Sequence, residues 1–318
     1  MTRQAQAGTL WVVAASVLWG TTGATAAQAP EVSPLAIGAA AMGIGGLLQA
    51  AGNARTVRSY WSELRAHWLT LSVSAVAVGV YPLAFYSSMR LAGVAIGAVV
   101  SIGSAPAAAA VIERIADRRP LSRRWAAGTA VGLLGVIALS VGGTHATVTA
   151  SSDSRRLWGI LLGLVAGVTY AGYSWGAARV MRSGVPSRST MGTVFGLGGL
   201  LLVPVLLATG APILQSSRNL AAASYMAVVP MFIGYKLFGR GLASISASSA
   251  TTISLIEPAV ATLLATLVLH EELAPVGWAG LGAIGFSVLI LTVSPGPVSE
   301  IRPSPSDEEQ LEWHRGTG

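Results

Sequence analysis

Gly43-Ile44-Gly45-Gly46-Leu47-Leu48 recurs as Gly196-Leu197-Gly198-Gly199-Leu200-Leu201, and the same displacement of about 151–153 residues relates much else in the chain. Pro34 falls on Pro186, Pro106 on Pro258, Leu121 on Leu273 and Gly128 on Gly280, while Trp19-Gly20 lies opposite Tyr170-Ala171. Any one match is weak in a chain so rich in Gly and Ala. A nearly constant offset across four apolar runs reads as an internal duplication.

The runs themselves are those of a membrane protein. Of 318 residues, 53% are apolar and only 10% are charged, against about 25% charged in a soluble domain. Twenty basic and 13 acidic side chains could not cover so large an apolar core. A soluble enzyme, a disordered regulator and a nucleic-acid-binding domain are all poor readings of this composition. The net charge of +7 comes from arginines set between apolar runs, Lys236 being the single lysine. That placement suits anionic headgroups of the bilayer and gives no nucleic-acid patch. With no Cys and four scattered His (His67, His145, His270, His314), no metal or other cofactor is expected.

A helix rises 1.5 Å per residue, so about 20 apolar residues cross the hydrocarbon core. The expected fold is all-α, with ten transmembrane helices over 9–27, 33–51, 68–88, 92–112, 125–142, 157–178, 189–209, 220–238, 244–269 and 277–294. Ala27-Gln28-Ala29 resembles a leader cleavage site, but only Arg3 precedes the first run, Pro30 follows, and nine further runs come after it. The first run therefore reads as retained. With the N-terminus in the cytoplasm, 16 Lys and Arg fall in inner segments and 4 (Arg90, Arg155, Arg156, Arg218) in outer ones. Both termini are expected inside a multi-pass protein of the cytoplasmic membrane.

Five spans per copy is an odd number, so the second copy must lie upside down relative to the first. The expected organisation is a first five-helix repeat over 1–142, an outer linker over 143–156, an inverted repeat over 157–294 and a disordered cytoplasmic tail over 295–318, rich in Pro, Ser and acid. The charges agree: five Arg follow the fourth span, whereas Glu271 and Glu272 follow the ninth. Inverted repeats rocking about a site near the midplane are the architecture of secondary transporters. Gly159, Gly163 and Gly167, like Gly128 and Gly132, have the small-xxx-small spacing of close helix contacts, within one bundle or in a homodimer.

These features resemble the EamA-like branch of the drug/metabolite transporter superfamily over roughly residues 9–294. The resemblance is carried by Leu18-Trp19-Gly20, by the run from Tyr86 through Pro106 to Pro120-Leu121, and by Leu255-Ile256-Glu257-Pro258-Ala259 leading to His270-Glu271-Glu272-Leu273. The family's usual Gly-Glu at that last place is His270-Glu271 here, and Arg119 stands at the Glu position of the first copy. The resemblance implies an inner-membrane exporter or exchanger of small metabolites, amino acids or amphipathic drugs, with a cavity between the halves.

Among single residues Glu257 is the most informative. A charge at mid-span costs about 2.5–3.5 kcal/mol on insertion scales, and its repeat mate is the uncharged Ala105. Pro258 follows and frees an upstream carbonyl, so Glu257 reads either as a cation or proton site or as a lock on a helix break. Lys236 either pairs inward, with Glu257 or a substrate carboxylate, or snorkels to headgroups. Trp19, Tyr86 and Tyr170 are candidate cavity walls whose π faces suit amphipathic or cationic substrates; Tyr81, Tyr173, Trp175 and Tyr235 also fall deep. Pro82, Pro106, Pro230 and Pro258 are the candidate helix breaks.

No phosphate-binding Gly-x-x-x-x-Gly-Lys-Ser/Thr run is present, which removes a primary pump. An intramembrane enzyme would need a companion acid, His or nucleophile–base pair for Glu257, and no catalytic residue is expected. A sugar-phosphate or lipid-linked substrate exchanger is the rival within transport; it would need deep basic residues, for which Lys236 is the candidate.

Overall fold

The computed structural model describes residues 3–118, 120–142, 153–268 and 273–293. Arg119, most of the linker, the His270-Glu271-Glu272 run and the tail over 295–318 lie outside the described residues. Those described form helices and no strand. In chain order they are α1 (Arg3–Trp19), α2 (Thr22–Ala26), α3 (Pro34–Ser59), α4 (Trp61–Ala66), α5 (Trp68–Ala92), α6 (Val94–Ala116) and α7 (Arg123–Gly142). There follow α8 (Asp153–Arg182), α9 (Ser187–Thr209), α10 (Ser217–Leu242), α11 (Ala247–Ile253), α12 (Ile256–Val268) and α13 (Pro275–Val293).

Eight candidate spans are long and apolar enough to cross a membrane: α3, α5, α6 from Ile96, α7, α8 from Ser154, α9, α10 and the stretch Ala247–Leu264. At 17 residues, α1 covers about 25 Å before the chain breaks at Gly20-Thr21 and resumes as α2. The ninth expected span is likewise two pieces, broken at Ser254-Leu255. Pro258 causes that break: it has no N–H to offer the carbonyl four residues back, and its ring would strike it. Three prolines behave differently. Pro82 and Pro106 sit inside α5 and α6, which continue as helices on both sides. Pro230 sits in a π-helical stretch of α10, Ala227–Gly234, where the wider turn accommodates the ring.

Helix starts follow local chemistry. Ser33 caps α3, accepting a hydrogen bond from the Ala36 N–H, with Pro34 at the first helical position. Ser216 and Ser246 cap α10 and α11 through the N–H groups of Asn219 and Ser249.

The side-chain distribution is that of a protein in lipid. Large apolar residues face outward, among them Leu10, Val73, Val141, Leu207 and Leu289, whereas the interior is built of Ala, Gly, Ser and a knot of aromatics. Without water, helices gain little from burying Leu against one another, so close contact between small residues carries the packing. The repeated hexapeptides show this directly, because they are each other's partners. A Cβ at Gly46 would collide with the carbonyl of Phe195, and one at Gly199 would meet the Gly43 carbonyl at 2.7 Å. The helices α3 and α9 thus touch backbone to backbone. The stripe Gly159, Gly163, Gly167 is occupied within the chain, against Ala92, Ser88, Val100 and Ser104.

Helix α8 lies against α5 and α6, and α1 lies against α10 and the α11–α12 pair; α7 pairs with α13, and α3 with α9.

Candidate functional site

One narrow cavity, about 400 Å³ of atom-free space including its mouth, lies where the broken α1–α2 and α11–α12 segments meet α3, α5, α8 and α10. Its wall includes Trp19, Tyr81, Tyr86, Tyr170, Tyr235 and Glu257. The helix breaks are what open it. Where α1 ends, Gly20 sits against Val260 and the Glu257 carbonyl, so the two interrupted segments cross at their weak points.

The aromatic wall is continuous. Trp19 meets Tyr170 edge to face, with centroids 6.3 Å apart, and Tyr235 at 4.8 Å; Tyr170 continues to Tyr81 at 5.5 Å. Phe85 and Tyr86 extend it along α5. Such offset and T-shaped contacts are favourable beyond area burial. Hydrogen bonds fix the rings. Trp19 Nε1 donates to the Pro230 carbonyl at 3.0 Å, an approach that depends on Gly234, whose Cβ would strike that nitrogen. The Tyr170 hydroxyl is 2.6 Å from Ser254 Oγ at the second helix break, and the Tyr173 and Tyr235 hydroxyls are 2.8 Å apart. Trp19→Phe keeps the ring but leaves the buried Pro230 carbonyl without that donor. The expected cost is about 1–3 kcal/mol, read as a fall of a few degrees in the Tm of the detergent-solubilised protein.

Glu257 is 9% exposed, in the first turn of α12, where the helix dipole favours a negative charge. Its carboxyl makes no hydrogen bond or ion pair among the described residues. The titratable groups that face it are the hydroxyls of Tyr81, Tyr86, Tyr170 and Tyr235. Among the described residues no Lys, Arg or His lines the cavity. Lys236 lies elsewhere on α10, its Nζ 5.0 Å from the centroid of Phe232; Tyr235, one residue earlier, is the one that reaches the cavity. A helix turns by about 100° per residue, so these neighbours face different ways. Of the candidate helix-break prolines, Pro82 lines the cavity directly.

Sequence reasoning missed the acids on α6. Glu113, 3% exposed, spans to α11: Oε1 accepts the Ala247 N–H at 2.9 Å and Oε2 accepts the Ser248 hydroxyl at 2.5 Å. One turn on, Asp117 accepts from Trp175 Nε1 and pairs with Arg179 at 2.9 Å and Arg182 at 2.8 Å. Four residues apart at the end of α6, with Asp117 just past its last residue, Glu113 and Asp117 gave only a hint of shared position and none of their partners. Trp175 is thereby tied near the end of α8 and not set deep. The polar pair Gln49–Asn53 was also missed; it bonds α3 to the Phe232 carbonyl of α10. Among the described residues no group of three His, Cys, Asp or Glu could hold a metal ion.

Apolar helices facing outward around an acid-bearing cavity define a multi-pass membrane protein. The chain belongs to the EamA-like transporter family, whose model matches twice, over residues 6–141 and 157–293. It is 32% identical over 294 residues to the uncharacterized transporter YwfM of Bacillus subtilis (strain 168), covering 90% of this chain and 94% of that one. It is 26% identical over 235 residues to the uncharacterized inner membrane transporter YedA of Escherichia coli (strain K12), covering 72% and 71%. A protein of known crystal structure shares the fold with a TM-score of 0.72 at 21% identity, over 89% of this chain and 95% of that one. The chain is thus a membrane transporter by family.

Proposed function

We propose that this transporter exports small metabolites, amino acids or amphipathic drugs by alternating access across the cytoplasmic membrane, with both termini inside. In this reading ten spans form two inverted five-helix repeats, 1–142 and 157–294, that rock about the cavity, joined by an outer linker over 143–156. The observation that carries it is the placement of Glu257 in a cavity whose walls come from both halves: Trp19, Tyr81 and Tyr86 from the first, Tyr170, Tyr235 and Glu257 from the second.

The packing supports two exchangeable halves. Matching the first span to the sixth and the third to the eighth turns the α5–α8 contact into the α1–α10 contact, and both are present. The pairs α3–α9 and α7–α13 map onto themselves, as contacts astride a twofold axis do. Glu257 acts as the protonation-sensitive group, and the ring of four tyrosines around it supplies hydroxyls and no competing cation. A cavity wall without Lys, Arg or His among the described residues disfavours a sugar-phosphate exchanger, which needs cations where the phosphate sits.

The test compares the medium of cells expressing the wild type, Glu257→Gln or no transporter, at matched membrane levels and several external pH values. A compound enriched outside only with the wild type, with its pH dependence flattened in Glu257→Gln, is the expected result. Export by Glu257→Gln with an unchanged pH profile would make Glu257 structural; no enrichment of any compound would remove the export reading.

A further inference from the structure

Resting on the transport reading above, we infer that the cavity selects a monocation with an apolar or aromatic body, an amine without a carboxylate, and discriminates against zwitterionic amino acids and anions. Three features of the wall combine to give this. Its one charged side chain is Glu257, nine-tenths buried and without hydrogen-bond or ion-pair partner among the described residues. A buried carboxylate left alone is costly and is neutralised either by a proton or by a ligand that brings the opposite charge, so an arriving cation exchanges with the proton. Beside Met42 and Met231 the large side chains of the wall are aromatic, with Trp19 and Tyr235 at 4.8 Å and Tyr81 and Tyr170 at 5.5 Å, and π faces attract cations most strongly where water is excluded.

The third feature is the absence, among the described residues, of any lining Lys, Arg or His. An amino acid's carboxylate would enter beside an existing carboxylate with no cation to receive it. The chain's one lysine does not relieve this, since Lys236 stands against Phe232 and outside the cavity wall. Nor does the start of α12, because Glu257 already occupies its first turn and Pro258 has no N–H to give. The cavity is narrow, and its tyrosine hydroxyls are engaged at Tyr170 with Ser254 and at Tyr235 with Tyr173. The recognition that remains is one negative charge, several ring faces and the neutral hydroxyls of Tyr81 and Tyr86, which carry no charge to offset a second carboxylate.

The experiment uses matched probes on the purified full-length protein in lipid nanodiscs, by calorimetry and ligand-induced thermal shift. The probes are 2-phenylethylamine, phenylalanine, 3-phenylpropionate and 2-phenylethanol, which share a ring and differ in charge. The amine is expected to bind at least about tenfold more tightly than the other three, and Glu257→Gln to remove that preference. Equal binding of phenylalanine and the amine, or an amine preference that survives Glu257→Gln, would overturn the assignment. The wild-type comparison needs no variant, so it decides even where Glu257→Gln fails to fold. Flux into proteoliposomes separates the two readings. An amine that binds through Glu257 but is not carried defeats transport and leaves the site; phenylalanine carried in preference to the amine defeats the substrate class and leaves transport.

Discussion

Gly46→Leu is expected to leave almost no folded protein in the membrane, whereas Gly172→Ala should accumulate at the wild-type level. The difference is geometric. At Gly46 a single added carbon already collides with the Phe195 backbone carbonyl, and the next helix offers only Gly199 Cα behind it. Backbone cannot rotate out of the way as a side chain can, so α3 and α9 must separate. Separation would also loosen the Gly199–Gly43 contact and the Gln49 hydrogen bond to Phe232, which reaches from the same helix to α10. Overpacking a tight core commonly costs about 1–3 kcal/mol and occasionally more; four added carbons against backbone belong at the upper end. Losses of even about 1–2 kcal/mol change cellular abundance several-fold. Gly172 has no atom within 4 Å of an added Cβ, so it controls for the loss of a glycine as such. Membrane abundance and the Tm of the solubilised protein read both variants. Equal levels of Gly46→Leu and Gly172→Ala would show that the two hexapeptides do not hold the halves together.

The hexapeptides were legible in the sequence as a repeat, but not as partners. Offset alone says that two segments are alike; it does not say that they touch. Span positions were legible because length and apolarity are additive along the chain, and the helices α5, α7 and α9 begin and end within a few residues of the hydropathic runs. Hydropathy could not show where helices break. Gly20-Thr21 and Ser254-Leu255 are no more polar than their surroundings, and only Pro258, downstream, marks the second break. For the same reason the broken α1 falls short of a full crossing length while α3 exceeds one.

The cavity was legible in part for a physical reason. An acid in an apolar run is expensive enough to single itself out, and Trp19 and Tyr170 were paired by the repeat; with Tyr86, all stand on one cavity. Lys236 was as conspicuous as Glu257, yet helical phase sends it to another face, and phase is poorly defined where a π-helical stretch, Ala227–Gly234, has just shifted it. Glu113 and Asp117 stayed hidden because neighbouring arginines made the end of α6 read as a solvated basic loop. Their importance comes from the tertiary contacts to α11 and α8, which no local pattern encodes.

Those contacts support the second large expectation, that Glu113→Ala unlatches one end of the transporter. Both Glu113 oxygens are engaged, and both bonds run from α6, in the first half, to α11, in the second. Hydrogen bonds to a charged group are worth about 1.5–3 kcal/mol each, and the truncation also strands the buried Ala247 N–H. Asp117 holds the same end of α6 to α8 through Arg179 and Arg182, so Glu113 is the part of the cluster that joins α6 to the broken span carrying Glu257. If the halves rock, these bonds must open in the opposite state, and a chain lacking them should populate that state more. The absence of cysteine makes this measurable with one added thiol. Ser174 is fully buried on α8 and its hydroxyl has no partner among the described residues, so Ser174→Cys is a mild change. The thiol should resist a polar maleimide in the wild-type background and react several-fold faster with Glu113→Ala, with a Tm lowered by several degrees. Glu113→Gln, which keeps one acceptor, should fall between them. A fallen Tm with an unchanged labelling rate would make Glu113 a structural tie only, and an unchanged Tm would show that the bonds from α6 to α11 carry no weight.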